Sequence, residues 1–130
     1  MPEKILVVDD EPDFRLILTD VLSRAGYEVV QATNGEEALA KLAFEQPQLV
    51  IIDWMMPGMS GPDFCQAVRQ NLNMPKLPII MLTVRRQDED HAEGIHQGAD
   101  LFLSKPVVPD ELLLRVRSLL RRAESPPQNP

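Results

Sequence analysis

Five short stretches of mostly apolar residues set the framework of the predicted fold. Four of them show no alternation of apolar and polar positions, which is typical of strands that are covered on both faces in a parallel sheet. The stretches are ILVV at 5–8, EVVQA at 28–32, LVII at 49–52, PIIML at 78–82 and LFLS at 101–104. We therefore expect five strands in one parallel sheet.

The segment after the first stretch has the spacing of an amphipathic helix. Pro12 stands near its start and Gly26 at its end, the positions that these residues favour. Between them, apolar residues recur three and four positions apart, so they are expected on one face. These residues are Phe14, Ile17, Leu18, Val21, Leu22 and Ala25.

Four later segments are also predicted to be helices. Asn34 can cap the second helix, and Pro47 prevents its continuation. The third helix is expected over 62–70, the fourth around 88–97 and the fifth over 109–122. Only two residues of the fourth helix, an alanine and an isoleucine, are apolar, so we expect it to be the most weakly packed.

The alternation of strands and helices indicates the fold class and the domain boundaries. Five strand-helix units call for right-handed crossovers and a parallel sheet between two layers of helices. A chain of 130 residues that is 44% hydrophobic can bury one core, so we expect a single α/β domain over 1–122. Residues 123–130 include three prolines and are predicted to be a Pro-rich linker or a disordered tail.

Composition and charge narrow the classes of function. A net charge of -7 gives no basic footprint for direct binding to nucleic acid. Cys65 stands alone, so an internal disulfide cannot form, which fits a reducing compartment. No apolar stretch approaches the length that crosses a bilayer, and the start of the chain lacks a signal-peptide pattern. We expect a cytoplasmic protein without membrane contact.

Polar residues follow four of the five predicted strands where each strand ends. Asp9 and Asp10 follow the first strand, Asp53 the third, Thr83 the fourth and Lys105 the fifth. The carboxyl ends of parallel strands meet at one edge of the sheet, where ligands bind in such folds. Any one of these residues alone is more simply interpreted as a turn or loop residue. Together they predict a cleft with three carboxylates, a hydroxyl and an ammonium group.

Three neighbouring carboxylates would repel one another unless a cation binds them. Mg²⁺ prefers oxygen ligands and keeps several waters, which an open cluster of Asp9, Asp10 and Asp53 allows. With the ion bound, Asp53 can act as a nucleophile toward a phosphoryl group. Lys105 would neutralise a phosphoryl oxygen, and the hydroxyl of Thr83 would donate a hydrogen bond.

Several motifs at these positions resemble the receiver domain of two-component response regulators, the CheY-like family. The motifs are VVDDE at 7–11, IIDWMMPGMSG at 51–61, MLT at 81–83, GAD at 98–100 and SKP at 104–106. The resemblance covers residues 3–122. It implies a doubly wound (βα)5 flavodoxin-like domain with strand order 2-1-3-4-5 and helices on both faces.

The resemblance also implies roles for the site residues. Asp53 matches the phosphoacceptor, which takes a phosphoryl group from a sensor histidine kinase or a phosphotransfer protein. Asp10 would contact Mg²⁺ directly and Asp9 mainly through water, with the backbone carbonyl of Met55 completing the protein ligands. Lys105 matches the lysine that binds the phosphoryl group. The domain would catalyse its own phosphorylation and dephosphorylation without being an enzyme on an external substrate.

In this family, phosphorylation changes a surface that controls an output. Thr83 and Phe102 match the switch pair, in which the hydroxyl moves toward the phosphate and the aromatic ring turns inward. The responding surface would be formed by the fourth helix, the fifth strand and the fifth helix. We expect it to control a partner or a C-terminal effector domain beyond the tail, or to form a homodimer.

Three residues near the site bear on the lifetime of the phosphorylated state. Val84 stands where receivers generally have Ala or Gly, and its larger, stiffer side chain is expected to slow phosphorylation by narrowing access to Asp53. Met55 and Arg85 match two variable positions that influence attack of water on the acyl phosphate. Our hypothesis is that they shield the site and lengthen the phosphorylated state.

Two other functions remain open at this stage. A docking module that never receives phosphate is one, although such degenerate receivers usually lose part of the acidic or lysine set that this chain keeps. A phosphohydrolase with a nucleophilic aspartate is the other. It would need a second acid two residues after Asp53, where this chain has Met55.

Overall fold

A five-stranded parallel sheet forms the centre of the computed structural model, which describes residues 2–84 and 98–124. The strands lie in the order β2-β1-β3-β4-β5, so the predicted sheet and strand order are confirmed. The strands are β1 Lys4–Val8, β2 Glu28–Ala32, β3 Leu49–Asp53, β4 Ile79–Thr83 and β5 Leu101–Ser104. Their bounds differ from the predicted stretches by one residue at most, and β3 and β4 include the polar residues that were expected to follow them.

The helices occupy the predicted places in the described part of the chain. They are α1 Pro12–Arg24, α2 Gly35–Glu45, α3 Gly61–Gln66 and a C-terminal helix Pro109–Glu124, and α3 continues as a π-helix over Ala67–Asn71. The helix predicted around 88–97 lies outside the described residues. The C-terminal helix includes the first two residues of the predicted tail, and the rest of that tail also lies outside the described residues.

Two apolar layers cover the two faces of the sheet. On one face, α2 and α3 contribute Leu42 and Phe64 to a buried cluster with the alternate strand residues Leu6 and Ile52. On the other face, α1 and the C-terminal helix pack in the same way against the remaining strand positions. Successive strand residues point to opposite faces, which explains why continuous apolar runs were needed. No helix among the described residues is long and apolar enough to cross a membrane.

The predicted apolar face of α1 was too wide. Leu18 and Leu22 are buried, as expected, but Ile17 is 57% exposed and Ala25, just after the helix, is also exposed. Each residue of an α-helix is rotated by about 100° from the one before, so a neighbour of a buried residue can point to solvent. Only a narrow stripe of α1 contacts the sheet.

The ends of α2 follow the predicted capping. The side chain of Asn34 accepts a hydrogen bond from the backbone N–H of Glu37 at 2.7 Å. At the other end, Gln46 adopts the left-handed conformation directly before Pro47, so the helix ends there. The predicted stop and start signals of this helix are therefore confirmed.

Candidate functional site

Three carboxylates meet at the carboxyl edge of the sheet. Asp9 and Asp10 follow β1, and Asp53 ends the neighbouring strand β3. One carboxylate oxygen of each lies within 4.8 Å of the others. Asp9 and Asp53 are buried, whereas Asp10 is exposed. The strand order 2-1-3, which the resemblance to receiver domains implied, is what brings these residues together.

Lys105 joins this cluster from the end of β5. Its ammonium Nζ lies 3.3 Å from Oδ2 of Asp9 and 3.2 Å from Oδ1 of Asp53. The backbone N–H of Lys105 donates to the carbonyl of Thr83 at 2.9 Å, which fixes the residue beside β4. The peptide bond between Lys105 and Pro106 is cis. The side chain of Lys105 is only 13% exposed, so its ion pairs with Asp9 and Asp53 are nearly buried.

The electrostatics of the cluster favour an added cation. Burial raises the pKa of the Asp53 carboxyl, Lys105 opposes this effect, and the charges of Asp9 and Asp10 add to it. The cluster has three carboxylates and one ammonium group, which pairs with two of them, so negative charge is in excess. The ligand atoms are all oxygens and one carboxylate is open to solvent, which suits a hard divalent ion that keeps part of its water. The residues therefore fit Mg²⁺.

A group of residues that the sequence did not single out holds Asp9 in place. Its Oδ1 accepts a hydrogen bond from the backbone N–H of Glu11 at 2.9 Å. The guanidinium of Arg15 donates to the backbone carbonyl of Asp9 at 2.8 Å and to the side chain of Gln31 at 3.0 Å. Arg15 thus ties the first turn of α1 to β2 and to the acidic cluster. Its position on the predicted helix was evident, but its partners were not.

The loop after Asp53 requires a glycine at position 61. The backbone N–H of Gly61 donates to the carbonyl of Trp54 at 2.9 Å. A Cβ at Gly61 would lie 2.8 Å from the backbone oxygen of Asp53, closer than such atoms approach in proteins. Ser60 then starts α3 with a capping box to Asp63. These contacts hold the backbone of Asp53 against the start of α3.

The predicted switch residues lie beside the site on one face of the sheet. Thr83 ends β4 and is 1% exposed, and Phe102 on β5 pairs with Met81. The alternation of side chains places Thr83 and Phe102 on the same face as Met81. The ring of Phe102 lies 5.6 Å from that of Trp54, which is itself buried next to Asp53. This aromatic pair therefore includes the residue that follows Asp53 in the chain.

Two of the three residues predicted to tune the site lie close to site residues in the chain, Met55 two positions after Asp53 and Val84 directly after Thr83. Met55 is 57% exposed and Val84 is 64% exposed, so both side chains extend largely into solvent. Arg85 lies outside the described residues. The loop after β3 lines an open groove of about 470 Å³ with Trp54, Met55, Met56, Pro57 and Ser60. The effect of these residues on the reaction remains a prediction.

Comparison with known proteins identifies the family of this fold and site. A sequence profile of the response regulator receiver domain matches residues 5–117. The alkaline phosphatase synthesis transcriptional regulatory protein PhoP of Bacillus subtilis is 43% identical over 95% of this chain and 51% of its own length. The phosphate regulon transcriptional regulatory protein PhoB of Rhizobium meliloti is 41% identical over 95% of this chain and 55% of its own length. This chain spans about half the length of the curated relatives it matches.

Solved structures agree with the sequence comparison. The chemotaxis protein CheY4 of Vibrio cholerae superposes with a TM-score of 0.86 at 38% identity, covering 92% of this chain and 99% of its own. A CheY-like response regulator receiver domain protein from Methanospirillum hungatei gives a TM-score of 0.88 at 30% identity, covering 95% of this chain and 98% of its own. These similarities extend over nearly the whole fold.

Proposed function

Because the chain belongs to the response regulator receiver domain family, we propose that it is a signalling switch activated by phosphorylation of Asp53. The observation that carries the proposal is the position of the Asp53 carboxylate. It is nearly buried, 3.2 Å from the ammonium of Lys105 and next to Asp9 and Asp10. A carboxylate in this setting can accept a phosphoryl group whose charge its neighbours help to neutralise.

The proposed reaction transfers a phosphoryl group from a phosphohistidine to Asp53. A carboxylate oxygen of Asp53 attacks phosphorus, an O–P bond forms, and the N–P bond breaks, leaving its electron pair on the imidazole. The product is an acyl phosphate. Mg²⁺ held by Asp9, Asp10, Asp53 and the backbone carbonyl of Met55 would share the charge of the phosphoryl oxygens. Lys105 would bind another of these oxygens, since its ammonium is already held beside Asp53.

The switch would act through the residues that adjoin Asp53. We propose that the hydroxyl of Thr83 donates to the new phosphoryl group and that the ring of Phe102 changes its position in response. Phe102 contacts Trp54, the residue after Asp53, so a change at the site can reach β5 directly. The proposed output surface comprises β5, the C-terminal helix and the helix predicted around 88–97.

The partners follow from the same proposal. A sensor histidine kinase or a phosphotransfer protein would supply the phosphoryl group. Two of the relatives are transcriptional regulatory proteins by name and about twice as long as this chain, which supports an effector domain beyond the tail. We further propose that the domain acts in the cytoplasm, that it forms a homodimer through the output surface, and that its only catalysis is its own phosphorylation and dephosphorylation.

The test uses Trp54 as a fluorescent reporter. The protein is titrated with Mg²⁺ and then with acetyl phosphate or beryllofluoride, in the native chain, in Asp53→Asn and in Asp20→Asn, an exposed control carboxylate. We expect a metal-dependent change and then a donor-dependent change in the native chain and the control, with the second change lost in Asp53→Asn. An equal donor response in Asp53→Asn would contradict the proposal.

We also propose that Met55 and Arg85 lengthen the phosphorylated state, and that Val84 slows its formation. Met55 and Val84 are exposed and lie within two positions of Asp53 and Thr83 in the chain, which supports a role in obstructing water or a donor. In the Met55→Ala/Arg85→Ala variant, we expect the acyl phosphate to decay faster than in the native chain. In Val84→Ala, we expect faster phosphorylation by acetyl phosphate. A slower decay in the double variant would reject the first expectation.

A further inference from the structure

Phe14 on α1 lies against the ammonium group of Lys105. Nζ of Lys105 is 4.3 Å from the centre of the Phe14 ring, well within the range of a cation–π contact. We propose that Phe14 is a positioning residue, whose ring keeps the Lys105 ammonium beside Asp53 when a cation occupies the carboxylates. The inference rests on the proposed function in one respect, the assignment of Lys105 to the phosphoryl group.

The contact is held from both sides. Phe14 is half-buried and packs against the apolar layer formed by α1 and the C-terminal helix. Lys105 is 13% exposed, and its ammonium also lies near Asp9 and Asp53. The first turn of α1 is fixed to the site by the hydrogen bonds of Arg15. The ring and the ammonium are therefore each held by contacts besides the one between them.

The carboxylates cannot hold Lys105 equally well in every state of the site. A divalent cation bound to Asp9 and Asp53 would draw on the same oxygens and would repel the ammonium. The face of an aromatic ring attracts an ammonium group but is not a ligand of a hard cation, which prefers oxygen. The divalent cation therefore competes with the Lys105 ammonium for the carboxylate oxygens but not for the Phe14 ring.

A purely structural role for Phe14 makes different predictions. If the ring only fills space, any side chain of the same size that leaves the fold equally stable should support the same affinity for a phosphoryl analogue. If its electron-rich face attracts Lys105, the effect should weaken as fluorine withdraws electron density from a ring of nearly unchanged shape. The two roles are therefore separable by substitution within the ring.

The first measurement is the affinity for beryllofluoride at saturating Mg²⁺, read by Trp54 fluorescence. Phe14 is replaced in the full chain by mono-, di- and trifluorophenylalanine, and by leucine in Phe14→Leu. We expect affinity to fall stepwise with fluorination and about fivefold in Phe14→Leu, with no loss of affinity for Mg²⁺. The matched control is the same fluorination at Phe64, which is fully buried in the opposite layer. Equal affinity across the Phe14 series would overturn the inference.

The second measurement does not depend on phosphoryl chemistry. The side-chain protons of Lys105, assigned with Lys105→Arg, should show an upfield ring-current shift in NMR spectra. We expect this shift to persist with Mg²⁺ and to be lost in Phe14→Leu. Disappearance of the shift on adding Mg²⁺ to the native chain would overturn the inference. Failure of the native chain to bind beryllofluoride would instead count against the proposed function, and the ring-current result would still show whether Phe14 keeps its contact with Lys105 when Mg²⁺ is present.

Discussion

The parallel strands begin at one edge of the sheet, the amino edge, and end at the other, the carboxyl edge. The charged group of Arg69 at the amino edge has a full set of partners, whereas the charges of the acidic cluster at the carboxyl edge are not balanced. At the amino edge, each of the five N–H groups of Arg69 has an acceptor. The acceptors are the backbone carbonyls of Met74, Leu77 and Gly98 and the carboxylate of Asp100, at distances of 2.7 to 3.0 Å. At the carboxyl edge, the ammonium of Lys105 pairs with Asp9 and Asp53, Asp10 lies beside these two carboxylates, and negative charge is left in excess.

The difference separates a structural network from a binding site. Arg69 links the π-helix after α3 to the loops before β4 and β5, and its hydrogen-bonding capacity is fully used. It has nothing left with which to bind a ligand. Repulsion among the three carboxylates of the acidic cluster lowers the stability of the fold unless a bound cation offsets it. Such a cost is expected at a site that is kept for binding or for phosphoryl transfer. Removing charge should therefore have opposite effects on stability at the two edges.

The largest expected effect is at the amino edge. Arg69→Ala removes five hydrogen bonds, and the backbone carbonyls that lose this donor belong to one buried and two half-buried residues, so we expect the free energy of unfolding to fall by about 3 kcal/mol. The matched control is Arg24→Ala, whose ion pair with Asp20 is exposed and should be worth less than about 0.5 kcal/mol. Urea denaturation measures both. Similar losses in the two variants would refute the network described for Arg69.

An effect of slightly smaller size is expected from Mg²⁺ at the carboxyl edge. Binding to the folded state alone should raise the free energy of unfolding by about 2.7 kcal/mol at a concentration roughly a hundred times Kd. In Asp10→Asn, the increase should be much smaller because one of the three carboxylates is lost. Thermal denaturation of the native chain and of Asp10→Asn, each with Mg²⁺ and with KCl at equal ionic strength, measures the increase in stability that is specific to Mg²⁺. An equal increase with KCl would argue against a specific site.

The smallest effect concerns Asp53 without metal. Because burial raises the pKa of Asp53, the folded protein holds this proton more tightly than the unfolded chain. The stability from this group is present at low pH and is lost as the pH rises through the folded pKa. Asp53→Asn should therefore raise the free energy of unfolding by about 1 kcal/mol at neutral pH.

The pH dependence supplies the control for Asp53→Asn. The gain should shrink as the pH falls through the raised folded pKa of Asp53, and it should vanish below about 4, the ordinary pKa of an aspartate in an unfolded chain. Chemical denaturation of both proteins with a metal chelator present, across this pH range, measures the gain. A variant that is less stable than the native chain at neutral pH would show that the pairing of Asp53 with Lys105 outweighs its burial.

Much of the carboxyl edge could be predicted because its residues are marked locally. Asp9, Asp53 and Lys105 each stand at the end of an apolar run, and a parallel sheet brings those ends together. The strand order, which makes β1 and β3 neighbours, came from the resemblance to receiver domains and was confirmed. The pattern and the family together sufficed to place the charged cluster.

The contacts that depend on distant parts of the chain were not predictable. Arg69 bonds to Gly98 and Asp100, and Phe14 lies against Lys105, with no local signal in either case. The exposure of Ile17 was also missed, because apolar spacing alone does not say how wide a stripe the sheet will cover. Tertiary packing decides these features.

The most direct test of the account is to locate the phosphoryl group. The native chain is incubated with acetyl phosphate and Mg²⁺, and the acyl phosphate is trapped by borohydride, which converts the modified aspartate to homoserine, before peptide mass spectrometry. We predict the modification at Asp53, with none at Asp9 or Asp10 and none when Mg²⁺ is chelated. Modification of another residue, or none in the native chain at saturating Mg²⁺, would contradict the central claim that this carboxylate is the phosphoryl acceptor.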